Sequence, residues 1–217
     1  MNEIRTDGPE NANCHLVLAH GAGAPMTSPF METVTGLLVE RGLRVSRFEF
    51  PYMAARRQGG KRRPPPKAEL LTEYYQDVVA SLAATLAPGQ VLLIGGKSMG
   101  GRVASLVADK LFAEGLIAGL VCFGYPFHPI GKPDQLRTAH LESLRCPALV
   151  IQGERDPFGA RGEVENYKIS ASIRIDWAAD GDHDLGPRGG SGFTRSGNLA
   201  AAVDAVCTFA HDLVPAK

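Results

Sequence analysis

The stretch "VLLIGGKSMGGR" runs from Val91 to Arg102, and two short motifs overlap inside it. Gly96-Lys97-Ser98 matches the end of a phosphate-binding loop, while Gly96-Lys97-Ser98-Met99-Gly100 matches G-x-S-x-G. A phosphate loop needs another glycine five residues before Gly96, so that backbone amides can wrap the anion. Val91 holds that place, inside an apolar run, and leaves no loop to do the wrapping. The dinucleotide fingerprint fails in the same way at "HGAGAPM", where its third glycine falls on Met26 and Pro25 intrudes. G-x-S-x-G meets its requirements: an apolar strand enters the turn, and a helix rich in small residues leaves it. The chain must reverse so sharply at Ser98 that strand and helix nearly touch, and Gly96 and Gly100, extended by Gly101 and Ala104, supply the narrow side chains this demands.

Short apolar runs alternate with amphipathic ones on both sides of this turn. "CHLVLAH" (14–20), "LRVSRFEF" (43–50), "VLLIGG" (91–96), "LIAGLVCFGY" (116–125), "PALVIQGE" (147–154) and "SIRIDWAA" (172–179) read as strands. Between and after them, "PFMETVTGLLVERG", "KAELLTEYYQDVVASLAATLA", "MGGRVASLVADKLFAEG", a brief piece near Gly162 to Lys168, and "NLAAAVDAVCTFAHDL" read as helices. Strands apolar on both faces, alternating with helices, predict an α/β fold with a mostly parallel sheet and helices on each side. The 217 residues, 44% hydrophobic, suit one domain with a large core. Residues 1–13 read as a polar N-terminal extension.

Composition excludes several function classes. Lys plus Arg and Asp plus Glu number 23 each, so no global field draws the chain to nucleic acid or an anionic membrane. No apolar stretch approaches the ~20 residues of a membrane span. Cys14, Cys122, Cys146 and Cys207 are scattered and form no C-x-x-C, which suits buried thiols in a reducing compartment rather than a metal site. A cytoplasmic protein without metal is expected.

In a fold that carries G-x-S-x-G, the acid and the imidazole that activate the serine follow it in chain order, in loops after later strands. Asp156 precedes Pro157 just after "ALVIQG", which holds it away from helix at a strand end. Glu154 is the rival acid, closer to the strand. His183 leaves "SIRIDWAA" in a loop of turn-forming residues, whereas His15 and His20 precede the serine and His140 and His211 fall in helical or exposed contexts. A serine hydroxyl needs such a base, and the base needs a carboxylate to set its tautomer. Met99 N–H supplies one donor for the developing oxyanion by position. The second is expected in "LAHGAGAP", with Ala22 favoured, Gly21 beside it facing the substrate, and His20 organising the loop.

With these motifs in order, the chain resembles the α/β-hydrolase superfamily, and within it the small hydrolase-like proteins near the dienelactone hydrolases. The resemblance runs from "LVLAHGAGAP" through "GGKSMGGR", "GYPFHPIGKP" and "LVIQGERDPFG" to "GDHDL". It implies a minimal three-layer sandwich of about six or seven strands lacking the first antiparallel pair of larger members, with Ser98, Asp156 and His183 as the triad. No organic cofactor is expected, and the resemblance supplies no substrate. The branch includes relatives that serve as complex subunits, so a non-catalytic binding or scaffold role stands as the alternative to an esterase or thioesterase.

Surroundings give hints of substrate. The interval from Phe123 to Cys146 holds a proline-rich loop and a short predicted helix, Gln135 to Leu144, rather than a large cap, so an open site is expected. Tyr125, Phe127 and His128 leave a strand end there; they either line the pocket or pack a turn made by Pro126 and Pro129. The loop "AARRQGGKRRPPPK" (54–67) concentrates Arg56, Arg57, Arg62 and Arg63 with Lys61 and Lys67. It reads either as a solvated surface loop or as a collector of a carboxylate, phosphate or coenzyme A thioester. Lys97 reads as a solvent-facing flank of the turn, and the oligomeric state as monomer or homodimer.

Overall fold

The computed structural model describes residues 3–57, 59–60 and 64–215. Its strands are β1 (Ile4–Asp7), β2 (Cys14–Ala19), β3 (Arg44–Phe48), β4 (Val91–Lys97), β5 (Gly119–Phe123), β6 (Ala148–Gly153) and β7 (Ile173–Ala178). They form one sheet in the order β1-β3-β2-β4-β5-β6-β7. Every pairing is parallel except β1 with β3, which is antiparallel.

Helices α1 (Pro29–Glu40), α2 (Pro51–Arg57), α3 (Thr72–Ala83), α4 (Met99–Ala113), α5 (Arg161–Val164) and α6 (Arg195–Leu213) complete the architecture. β2, β5 and β6 are buried along their whole length, as expected of strands covered on both faces. Because side chains alternate across a strand, Leu16 and Leu18 of β2 join Val34 and Leu38 of α1 and Val203 of α6 in one core, whereas Val17 and Ala19 join Tyr75 of α3 and Val103 of α4 in another. α6 starts where Thr194 Oγ1 accepts from Gly197 N–H at 3.0 Å, a side-chain cap of the usual kind.

Three expectations change. The polar N-terminal extension contains β1, which gives the sheet an antiparallel edge; its "IRTD" is mostly exposed, and edge strands tolerate such residues because only one side is paired. The segment expected as a loop from 54 begins as helix α2. The interval between β5 and β6 contains only a 3₁₀ turn, Ala139–Leu141, instead of a helix from Gln135 to Leu144.

Candidate active site

Parallel strands deliver the chain to one edge of the sheet, and ligands of such sheets gather outside those carboxyl ends. β4 ends at Lys97, and Ser98 follows with φ 53° and ψ −117° before α4 starts at Met99. Positive φ is costly for a residue with a Cβ. Ser98 is held there from both sides: its N–H donates to Phe123 O at 2.9 Å, and its carbonyl accepts from Arg102 N–H at 3.0 Å. Gly96 and Gly100 allow the turn. A Cβ on Gly96 would lie 2.6 Å from Ala19 O and 2.6 Å from Gly100 C. The tight passage read from the sequence is therefore a contact between main chains.

Asp156 sits in the turn after β6 and is fully buried. Its Oδ1 accepts from Phe158 N–H at 2.9 Å. Its Oδ2 accepts from Gln152 Nε2 at 3.0 Å and faces His183 Nδ1 at 2.8 Å. A carboxylate partner places the imidazole proton on Nδ1 and leaves Nε2 as an acceptor. Glu154, the rival acid, is otherwise engaged, taking Arg161 on Oε1 and the Asp180 N–H on Oε2. The loop that carries His183 after β7 is pinned by Asn198 of α6, which donates to Ala179 O and Leu185 O.

Ser98 and His183 line one cavity of about 510 Å³, together with Gly21, Ala22, Phe30 and Lys97. Among the described residues no hydrogen bond joins Ser98 Oγ to His183. A second cavity, about 460 Å³, reaches Ser98 from the other side and includes Met99, Arg102, Arg137, Lys67 and Glu69. Ala22, Ser98 and Phe158 belong to both walls. Larger cavities exist, of about 740 Å³ between β7 and α6 and about 810 Å³ beside Cys14 and Cys207, but neither contains Ser98, Asp156 or His183.

His20 is fully buried beside this site. Its Nδ1 faces Gly21 O at 2.6 Å and its Nε2 accepts from Phe50 N–H at 3.1 Å, so the ring ties the loop of Gly21 and Ala22 to the Phe50 main chain. Burial pushes the His20 pKa below the usual imidazole range, and the ring stays neutral. Tyr52 adds a hydroxyl bond to Ala22 O at 3.0 Å.

Other expectations are corrected. Lys97 is not a solvent-facing flank but is 7% exposed. Its Nζ donates to the His183 carbonyl at 2.6 Å, pairs with Asp184 at 3.2 Å, and lies 5.1 Å from the Phe30 ring centroid. Burial pulls its pKa down while Asp184 and Asp156 oppose that shift. Tyr125 and Phe127 are fully buried core rings at 4.9 Å and line neither cavity at Ser98. His128 is buried too, with Nδ1 on Pro129 O and Nε2 facing Glu163. These three pack the turn, because Tyr125 N–H and carbonyl are both taken by the Gln152 amide. Arg56 lies over the Tyr52 ring, and Arg57 is bound by Glu49 and Glu3; neither lines these cavities. Arg62 and Arg63 lie outside the described residues, as does Lys61.

Two residues that matter here were not singled out in the sequence. Phe158 places its ring 4.5 Å from the His183 ring centroid, and Gln152, a fully buried amide, holds the Asp156 carboxylate. Their proximity to Asp156 in "QGERDPF" was the available signal.

The fold is that of a hydrolase. The alpha/beta hydrolase domain family matches residues 12–211, and the chain belongs to that family. Solved structures agree on the fold. An alpha-beta serine hydrolase homologue from Coxiella burnetii superposes with a TM-score of 0.70 at 16% identity, over 94% of this chain and 89% of the other. Dienelactone hydrolase from Anabaena variabilis gives 0.70 at 19% identity, over 98% and 92%. Est1E from Butyrivibrio proteoclasticus, solved with ferulic acid, gives 0.66 at 15% identity, over 98% and 95%. No helix among the described residues is long and apolar enough to cross a membrane.

Proposed function

We propose that the chain is a serine hydrolase that cleaves an ester or thioester of a small molecule through an acyl-enzyme. The observation that carries this reading is the 2.8 Å contact of His183 Nδ1 with buried Asp156, on a ring that shares a cavity wall with the strained Ser98. Ser98 Oγ attacks the carbonyl carbon as its proton passes to His183 Nε2. The tetrahedral intermediate collapses, the bond to the leaving oxygen or sulfur breaks, and His183 gives that atom the proton. Water then attacks the acyl-enzyme, with its proton passing through His183 back to Ser98 Oγ. Met99 N–H, at a helix start where amides lack intrahelical acceptors, and Ala22 N–H face the developing oxyanion.

A fluorophosphonate probe tests the proposal. Labelling of Ser98 in the folded protein, lost in Ser98→Ala and strongly slowed in His183→Ala, is the expected result. Absence of label, or labelling indifferent to His183, overturns it and favours the scaffold reading.

Lys97 enters this scheme as a positioning residue, because it tethers the carbonyl of the base itself. In Lys97→Met the stem still covers Phe30 but the tether is gone. A misplacement of the base on the order of 1 Å costs up to ~10²-fold, so kcat is expected to fall between about 10- and 100-fold with a smaller change in KM. Steady-state kinetics on a short acyl ester checks this, and an unaltered kcat would remove Lys97 from the scheme.

A further inference from the structure

The cavity on the Met99 side of Ser98 differs in charge from its neighbour. Its wall carries Lys67, Arg102 and Arg137 against a single carboxylate, Glu69. Glu69 is committed to Arg102, from whose Nη2 it accepts, and the Arg102 Nε is buried with no partner among the described residues. Arg137 differs again. It is half-buried, its carbonyl accepts from Tyr125 Oη at 3.1 Å and its N–H donates to Phe127 O at 2.7 Å, so its backbone is fixed. Its guanidinium, however, makes no hydrogen bond or ion pair among the described residues. Burial and the neighbouring Arg102 both push its pKa down, the direction that an anion in the cavity would reverse. A half-buried guanidinium on a cavity wall with no protein acceptor among the described residues is free to take one from a ligand, and its planar fork matches a carboxylate.

Which half of a substrate enters this cavity follows from the triad roles just proposed, and the inference rests on them. His183 must protonate the leaving atom, so the leaving group occupies the cavity that His183 lines. The acyl group then extends past Met99 into the other. We infer that Arg137, backed by Arg102, anchors a carboxylate at the far end of the acyl group, which makes the preferred substrates hemiesters or hemithioesters of short dicarboxylic acids. Neither Arg56 nor Arg57 lines this site.

Esters with the same nitrophenyl leaving group isolate the acyl half. The wild-type kcat/KM is expected to be at least about tenfold higher for mono(4-nitrophenyl) glutarate than for 4-nitrophenyl butyrate. Arg137→Gln is expected to lower the glutarate value ~10- to 100-fold more than the butyrate value, with Arg137→Lys recovering part of the difference. Equal losses on both esters, or a larger loss on the butyrate ester of 4-hydroxybenzoate, whose carboxylate sits on the leaving group, would overturn the inference. Glutarate binding to the Ser98→Ala protein, followed by calorimetry, needs no turnover. Binding that weakens about tenfold or more in Ser98→Ala/Arg137→Gln supports the anion site even if no ester is cleaved, whereas binding indifferent to Arg137 rejects it even if Ser98 is labelled.

Discussion

Asp156→Asn is expected to lower kcat by about 10⁴ with the fold intact, the scale of loss when a triad imidazole is held in the wrong tautomer. The hydrogen bonds around Asp156 explain why an isosteric change should matter so much. Phe158 N–H requires an oxygen at Oδ1, which turns the new amide nitrogen toward Gln152 Nε2 and His183 Nδ1. Facing a donor, His183 keeps its proton on Nε2, where it cannot accept from Ser98. The reversed amide would instead set its NH₂ against Phe158 N–H, so neither orientation is satisfied. The opposed donors cost ~1–3 kcal/mol of stability, too little to unfold a domain of ordinary stability. Glu154→Gln is the control, since Glu154 binds Arg161 and the Asp180 N–H and no ring of the site. Its kcat is expected to stay within about threefold, on the ordinary scale of surface substitutions. A loss below tenfold in Asp156→Asn, measured by steady-state hydrolysis of a short acyl ester, would place the acid elsewhere.

Much of this arrangement was legible because local rules and global fold agree. Runs such as "CHLVLA" and "ALVIQG" are mostly apolar and are buried at every position, the mark of strands covered on both faces, and glycines flank Ser98 where only hydrogen fits. Chain order then brought Ser98, Asp156 and His183 forward, and the structure carries them at the ends of β4, β6 and β7 on one edge of the sheet. What the sequence hid depended on contacts between distant segments. Lysine is seldom buried, so nothing in "GGKSMGG" indicated that Asp184 and the His183 carbonyl would meet Lys97. Tyr125 and Phe127 follow a strand end as pocket residues do, but the Gln152 amide draws that turn inward. β1 escaped notice because an edge strand with one partner needs no apolar alternation. The dense basic run at 56–63 drew attention by composition, whereas Arg102 and Arg137 share a cavity from positions 35 residues apart, which no window of sequence reveals.

The glycines of the turn support an expected result on stability with a built-in comparison. Gly100→Ala adds a Cβ that would stand 2.4 Å from Ala19 O, 2.6 Å from His20 O and 2.7 Å from Ala19 C. All three atoms are main chain, and Ala19 is held in register with Phe48 and Gly96 on its two sides. No side chain can swing away, so β2 and α4 must separate, and separation opens the buried contacts of Ala19, Val103 and Ala104 in the same core. Overpacking of this kind costs at least ~3 kcal/mol, which for a chain of this size lowers Tm by roughly 6–12 °C. Gly36→Ala makes the identical chemical change in α1, where the added carbon meets nothing within 4 Å. There alanine removes the helix penalty of glycine, worth ~0.5–1 kcal/mol, so Tm is expected to rise by a few degrees. Thermal unfolding of the two variants beside the parent decides the matter. A Gly100→Ala protein as stable as the parent would mean that the close passage of strand and helix around Ser98 is not what requires glycine there.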